Sequence, residues 1–180
     1  MSTRKVIWFP LYFLFIAAWI LGFSLEGAAQ SNLEKVVGTW KLVSVESVMP
    51  SGEVSDAWMG RNPLGLIMYD QAGNMSVQFM RDPRPTFSSA SGTHRDASTE
   101  EIKLAYEGYY AYFGTYEINE GEGFIIHHVK GSLWPHEVGQ ELKRFVKISE
   151  NRLIITTPPI QRGGKEWFNR ITFERVEKGK

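Results

Sequence analysis

The sequence contains no cysteine and has no excess of charge of either sign. Its 180 residues include 20 basic and 20 acidic side chains. The lack of cysteine excludes disulfides, a thiol nucleophile and a lipid-modified N-terminal cysteine. Because the charges are balanced and form no basic run, we expect no nucleic-acid partner. A domain of this composition must be held together by its apolar core.

Several motifs of well-known catalytic sites are also missing. There is no Gly-x-Ser-x-Gly elbow, no phosphate-binding glycine loop and no His-Glu-x-x-His helix. The histidines complete no recognised spacing of metal ligands, and the adjacent pair His127 and His128 would face opposite ways on a strand. We therefore expect no metal site, and nothing in the sequence indicates a cofactor.

The N-terminal segment is typical of a secretory signal. Arg4 and Lys5 precede an uncharged, mostly apolar run over residues 6–25, and small residues before Gln30 suit cleavage after Ala29. We expect a signal peptide over residues 1–29, export to the periplasm or the medium, and one domain over residues 30–180. The run is also just long enough to span a bilayer, so an uncleaved anchor over residues 6–25 is the alternative.

The rest of the chain is predicted to be all-β. Short segments rich in β-branched and aromatic residues are separated by tight turns. The predicted strands are 38–48, 65–69, 75–80, 112–119, 123–131, 139–149, 152–157 and 166–176. Because most connections are short, these eight strands are best arranged as a closed antiparallel up-and-down barrel, which has no exposed edges. The interior of such a barrel can hold one small ligand.

One α-helix is predicted to flank the barrel, at about residues 98–110. Ser98 and Glu101 have the spacing of a capping box at its start. A single apolar stripe then follows at helical spacing. It consists of Ile102, Ala105, Tyr106 and Tyr109. The stripe predicts that the helix packs over one end or flank of the sheet.

Several segments resemble the bacterial and fungal family of lipocalin-like domains, which is largely uncharacterised. Gly38-Thr-Trp40 is similar to the lipocalin Gly-x-Trp signature, and Arg175 to the arginine that partners its tryptophan. Further matching segments are 62–69, 73–78, 80–85, 111–116, 127–129, 132–135 and 173–175. The family usually has tryptophan where this chain has Phe173. The resemblance covers nearly everything after the signal and implies a small β-barrel with a pocket for an apolar molecule, but no known reaction.

Residues Gly38, Trp40 and Arg175 are expected to close one end of the barrel. By period-two counting, Arg175 shares a strand face with large apolar side chains, including Phe173. Stacking of its guanidinium on the Trp40 ring would satisfy the charge. An anion-binding role for Arg175 is the alternative.

Alternation along the strands also selects candidates for ligand binding. Tyr112 and Tyr116 are predicted to point inward, as is His127 on the next strand. A buried imidazole is usually neutral; it can be held by a tyrosine hydroxyl, orient a ligand or act as an acid or base. Arg144 lies on an otherwise apolar face, where it could bind a ligand carboxylate or enolate, pair internally or reach the rim. The full set of ligand-binding candidates is Tyr69, Gln78, Tyr112, Tyr116, His127 and Arg144.

We predict that the protein is an exported lipocalin-like barrel that binds a small hydrophobic molecule. The alternative is a cofactor-free isomerase, cyclase or dehydratase in the same cavity, with His127 as acid or base and Arg144 or a tyrosine stabilising an oxyanion. In a third reading the barrel is filled by its own side chains and acts through its surface. Contact with a membrane is expected only through the N-terminal segment, if it is not cleaved.

Overall fold

The computed structural model of the protein describes residues 34–56, 58–88 and 92–177. The predicted signal or anchor segment lies outside these residues. The described chain is mainly β-structure, and all strand pairs are antiparallel. Within the same residues, no helix has the length and apolar character needed to cross a bilayer.

The described residues form ten strands, one α-helix and three short 3-10 turns. The strands are β1 (Gly38–Val48), β2 (Val54–Asp56), β3 (Leu64–Tyr69), β4 (Asn74–Met80), β5 (Tyr109–Asn119), β6 (Phe124–Ser132), β7 (Glu141–Ile148), β8 (Arg152–Thr156), β9 (Ile160–Arg162) and β10 (Lys165–Arg175). The helix α1 spans Thr99–Glu107, and the 3-10 turns are Glu34–Val36, His94–Asp96 and Pro135–Glu137.

Eight of the strands form a closed barrel, which confirms the predicted architecture. Their order is β1-β3-β4-β5-β6-β7-β8-β10, and β10 returns to pair with β1. This last pairing runs from Trp40 opposite Arg175 to Val48 opposite Phe168. The short strands β2 and β9 are not among the predicted strands; β2 pairs with the last residues of β1, and β9 pairs with the first residues of β10.

Arg175 and Trp40 close one end of the barrel. The guanidinium carbon of Arg175 lies 4.0 Å from the centroid of the Trp40 ring. Trp40 is fully buried, and its indole N–H donates to the Val36 carbonyl at 2.7 Å. The guanidinium donates hydrogen bonds to the backbone carbonyls of Lys35, Val37 and Glu150. The charge is thus satisfied by carbonyls and a ring face rather than by a carboxylate.

Gly38 leaves the space that this arginine occupies. Its φ angle is +134°, and a Cβ atom added there would lie 2.9 Å from Nη1 of Arg175. A side chain at Gly38 would therefore both strain the backbone and displace the guanidinium. The first residue of the Gly-x-Trp signature is explained by this close approach.

The barrel interior near the closed end is filled by side chains. The largest fully buried side chains of the molecule are Trp40, Phe173, Met59, Ile67, Ile125, Leu153, Ile155 and His127. They come from inward-facing positions on most of the barrel strands, with Met59 contributed by the loop before β3. Alternation of buried and exposed residues is clearest in β4, where Met75, Val77 and Phe79 point inward.

The helix α1 is shorter than predicted and is not packed as a buried element. The capping box of Ser98 and Glu101 is present, and hydrogen bonds from Ser88 and Ser98 lower the pKa of Glu101 to about 2. Tyr109, which was expected in the helical stripe, instead begins β5 because it pairs with Met80 of β4.

The predicted apolar stripe of α1 is largely exposed. No residue of the helix is buried, and Ile102 and Tyr106 are 44% and 45% exposed. Hydrogen bonds hold the helix in place: the Tyr106 hydroxyl donates to the Leu133 carbonyl at 3.3 Å, and Arg84 donates to the Ala105 carbonyl at 2.8 Å. The helix therefore lies beside the barrel rim, and its own apolar stripe stays largely exposed to solvent.

The closure at Arg175 is testable by a conservative substitution. Arg175→Lys keeps the charge, but an ammonium group cannot reach three separate carbonyls and stack on a ring at once. We expect a loss of about 2 kcal/mol in the free energy of unfolding, measured by urea denaturation. Arg152→Lys is the control, because Arg152 is 58% exposed and its ion pair with Glu174 spans 4.0 Å. Its effect should stay below about 0.5 kcal/mol, and equal losses in the two variants would contradict the proposed closure.

Candidate ligand-binding site

A cavity of about 1210 Å³ opens at the barrel end opposite Trp40. This volume lies slightly above the usual range for small-molecule pockets, which is roughly 300–1,000 Å³. The walls come from the later residues of β1 and β4, the first residues of β5, β7 and β10, and the loops that join strands at this end. The interior of the barrel is thus packed at one end and open at the other.

Three aromatic rings form one wall of this cavity, and we call them the aromatic wall: Trp58, Tyr110 and Trp134. Their centroids are 4.4 Å apart for Tyr110 and Trp134, 5.4 Å for the two tryptophans and 5.8 Å for Trp58 and Tyr110. Arg81 fixes the loop that carries Trp58, because its Nε and Nη2 atoms donate to the Trp58 carbonyl at 3.1 and 2.6 Å. The wall offers a large, positioned apolar surface for a ligand.

A buried carboxylate adjoins the aromatic wall. Glu137 ends the 3-10 turn after Trp134, lines the cavity and is only 9% exposed. It accepts hydrogen bonds from the Tyr110 hydroxyl at 2.9 Å and from Ser132 Oγ at 2.7 Å. Burial raises the pKa of Tyr110, and the neighbouring Tyr112 and Glu137 raise it further. Tyr110 is therefore a protonated donor at neutral pH.

Arg144 of β7 supplies a positive charge to the same cavity. It lies on the inward face of the strand, opposite Ile125 of β6, and is largely enclosed. Its Nη1 atom donates to the Lys143 carbonyl at 3.1 Å. Burial alone would lower its pKa, but the adjacent hydroxyls of Tyr112 and Tyr110 outweigh this effect, so the pKa is raised and the guanidinium stays charged.

His127 lies deeper in the barrel and does not line the cavity. It is fully buried, and both ring nitrogens contact tyrosine hydroxyls at 2.8 Å: Nε2 contacts Tyr69 and Nδ1 contacts Tyr112. Burial lowers the pKa of His127 well below its usual value, and the charge of Arg144 lowers it further. The imidazole is therefore neutral, with all of its hydrogen-bonding capacity used.

The neutral imidazole requires its two tyrosines to play different roles. One ring nitrogen carries a proton and donates it, and the other accepts. Because Arg144 lies beside the Tyr112 hydroxyl, the favoured arrangement turns the oxygen lone pairs of Tyr112 towards the guanidinium and its proton towards Nδ1. Nε2 then carries the proton and donates to Tyr69. The cluster of Tyr69, Tyr112 and His127 is thus a satisfied polar network inside the barrel.

Comparison with known families agrees with this architecture. The family model described as lipocalin-like domain matches residues 37–176. The chain belongs to the lipocalin-like domain family. The match begins immediately before Gly38 and ends immediately after Arg175, so it includes every strand of the barrel. The search of curated proteins found no match.

The six ligand-binding candidates predicted from the sequence lie in different parts of the lipocalin-like barrel. Arg144 is the only one of the six that lines the cavity. Tyr116 lies towards the closed end, where its hydroxyl donates to the Asp70 carbonyl at 2.8 Å and its ring packs against Tyr69. Gln78 alternates with buried residues of β4, so it faces outward, where it donates to Ser76 Oγ at 3.1 Å. The candidate site is accordingly redrawn around Arg144, Glu137 and the aromatic wall.

The second histidine of the pair lies outside the lipocalin-like interior. His128 faces outward between Glu117 and Glu141, with nitrogen–oxygen distances of 3.3 and 3.5 Å. Among the described side chains, no group of three or more histidines and carboxylates is arranged to hold a metal ion. On the outer face, the His128 imidazole thus lies between carboxylates of the two neighbouring strands.

The neutral state of His127 predicts a pH-dependent stability. In the unfolded chain its pKa is about 6.5, and in the folded barrel it is well below this value. Below about pH 6.5 the unfolded chain binds a proton that the native state excludes, so stability falls by up to about 1.4 kcal/mol per pH unit. Above that pH both states are neutral and the contribution is constant.

This dependence can be isolated with His127→Gln, which does not titrate. Urea denaturation of both proteins between about pH 4.5 and 8 should show that the wild type loses more stability than the variant as the pH falls. The other histidines and the carboxylates are common to both proteins and cancel in the difference. Parallel profiles would show that His127 is protonated equally in both states and would contradict its neutral burial.

Proposed function

We propose that this lipocalin-like protein binds a small, largely hydrophobic molecule in the open half of its barrel. The observation that carries the proposal is the cavity of about 1210 Å³, bounded by the aromatic wall and open to solvent at one end. A concave recess that combines apolar and aromatic surface with polar groups is the usual form of a small-molecule site.

Exposed apolar side chains at the cavity support the same proposal. Trp58, Tyr106 and Ile160 all line it and are 37%, 45% and 48% exposed. Covering such surface with an apolar ligand is favourable by about 25 cal/mol per Å² removed from water. A ligand that fills the cavity and reaches its mouth would therefore be held mainly by the hydrophobic effect.

In the proposed function, the buried His127 supports the barrel and does not react with the ligand. His127 has both nitrogens engaged and is not in the cavity wall, so a molecule bound in the cavity has no direct contact with the imidazole. Direct proton transfer by His127, which the isomerase or dehydratase alternative requires, is disfavoured by this arrangement. The groups that a ligand meets include Arg144, Glu137 and the aromatic wall.

Removal of one ring of the aromatic wall tests the proposed binding. The probe is N-phenylnaphthylamine, a neutral dye whose fluorescence rises in apolar sites. Trp58→Ala should weaken its binding by roughly tenfold, since a large apolar contact contributes about 1.5–3 kcal/mol. Phe145→Ala is the matched control, because Phe145 is 40% exposed, close to the 37% of Trp58, but does not line the cavity. Failure of the wild type to bind the dye, or equal losses in both variants, would contradict the proposal.

We also propose that the protein is exported, which is supported only by its N-terminal sequence. The expected result is secretion with removal of residues 1–29, because a basic start, an apolar run and small residues before the cut are the features that signal peptidase reads. N-terminal sequencing of the full chain produced in a bacterium checks this. A mature chain beginning at Gln30 supports cleavage, whereas an intact N-terminus in the membrane fraction would favour the anchor over residues 6–25.

A further inference from the structure

We infer that the ligand of this cavity carries a carboxylate, and that this group pairs with Arg144 while the apolar body of the ligand lies against the aromatic wall. The inference rests on the proposed function and specifies the chemical class of the ligand. It is carried by the position of Arg144 in the cavity wall and by the partners that this side chain lacks.

The first step is that Arg144 forms no ion pair with a described residue. It donates to the Lys143 carbonyl at 3.1 Å and to the Tyr112 hydroxyl, and Tyr69 and Tyr110 lie near it. In the described parts of the chain no carboxylate lies within 4.0 Å of its guanidinium nitrogens. A guanidinium has five N–H donors in a planar fork, so donors remain for a ligand.

The second step is that two other arginines of the same barrel have stronger partners. Arg170 pairs with the Glu46 carboxylate at 2.7 Å, and Arg175 reaches three carbonyls and the Trp40 ring. Arg144 is largely enclosed, yet it has neither a carboxylate partner nor a comparable set of carbonyls. A cation held away from water is costly unless an anion accompanies it.

The third step is that Glu137 cannot serve as that anion in the free protein. It also lines the cavity, but its carboxylate accepts from Tyr110 and Ser132 and forms no ion pair with Arg144.

Of the three cationic side chains that line the cavity, Arg81 donates to the Trp58 carbonyl and Lys143 pairs with Glu122 at 3.7 Å. Arg144 alone of these three has neither a carboxylate partner nor a bidentate bond to a carbonyl among the described residues. A ligand carboxylate is repelled near Glu137 and attracted at Arg144, which sets the orientation of an amphipathic acid.

The test compares two ligands that differ only in their polar end. Decanoate and decanol compete with N-phenylnaphthylamine for the cavity at about pH 8, where the acid is fully ionised. Arg144→Met should weaken decanoate binding by about tenfold or more, since charge-assisted bidentate hydrogen bonds are lost, and should leave decanol binding unchanged. Lys147→Met is the control, because it removes a positive charge from the same strand at an exposed position that does not line the cavity.

The outcomes separate this inference from the proposed function. Loss of decanoate binding in Arg144→Met alone supports the inference. Equal binding of decanoate to wild type and Arg144→Met overturns the inference and leaves the hydrophobic site intact. An equal loss in Lys147→Met also overturns it, because such a loss would indicate only long-range attraction. If the dye, the alcohol and the acid all fail to bind the wild type, the proposed function itself is wrong.

The stability of the variant adds an independent check. Because methionine replaces a poorly paired buried cation with an apolar side chain of similar length, Arg144→Met should melt at the wild-type temperature or above it. A marked drop in melting temperature would show that Arg144 also supports the fold, and the binding test would then use Arg144→Lys, for which decanoate binding equal to that of the wild type would overturn the inference. Should Arg144→Met fail to fold, Arg144→Lys keeps the charge without the fork, and several-fold weaker decanoate binding is then the expected result.

Discussion

The pairing of β10 with β1 is the contact on which the rest of the structure depends. It joins the first and last long strands of a meander along eight residue pairs, from Trp40–Arg175 to Val48–Phe168. Closure removes the free strand edges and encloses a space that water enters only from one end. The stacking of Arg175 on Trp40 fixes the start of this pairing, and Gly38 provides the space for it. Every polar group that turns inward must then find its partners inside the barrel.

The lipocalin-like interior satisfies its inward polar groups differently at three depths. At the closed end, Arg175 uses backbone carbonyls and a ring. In the middle, His127 stays neutral and is held by Tyr69 and Tyr112. At the open end, Arg144 keeps its charge and has only uncharged contacts. The hydrogen bonding of the inward polar groups thus becomes less complete towards the cavity. Arg144, whose hydrogen bonding is the least complete of the three, is the group that a ligand can reach.

Alternation along strands accounts for what the sequence could predict. It indicated the eight long strands, and it placed His127 and Arg144 on inner faces, where the structure has them. These features depend on local periodicity, which is readable without knowing the fold. The family resemblance rested on Gly38, Trp40 and Arg175 and on several longer segments, and the family match over residues 37–176 confirms it.

The residues that form the cavity walls could not be predicted from strand periodicity alone. Tyr110 shares the inner face of Tyr112, but the strand was predicted to start too late because Tyr109 also fits the helical stripe. Trp58 and Glu137 lie in loops, where no repeat indicates a direction, and only the closed barrel brings them to the same opening.

Tyr112 connects the proposed ligand-binding residue Arg144 with the buried His127 in this lipocalin-like barrel. Its hydroxyl contacts His127 on one side and lies beside Arg144 on the other. An anion at Arg144 would reduce the positive field at this hydroxyl, and the same field lowers the pKa of His127. Occupation of the cavity would therefore make a proton on the buried imidazole less unfavourable, although the ligand never touches it. His127, which the sequence offered as a possible acid or base, is thus better understood as part of the framework behind the cavity. It is coupled to a bound ligand only through electrostatics.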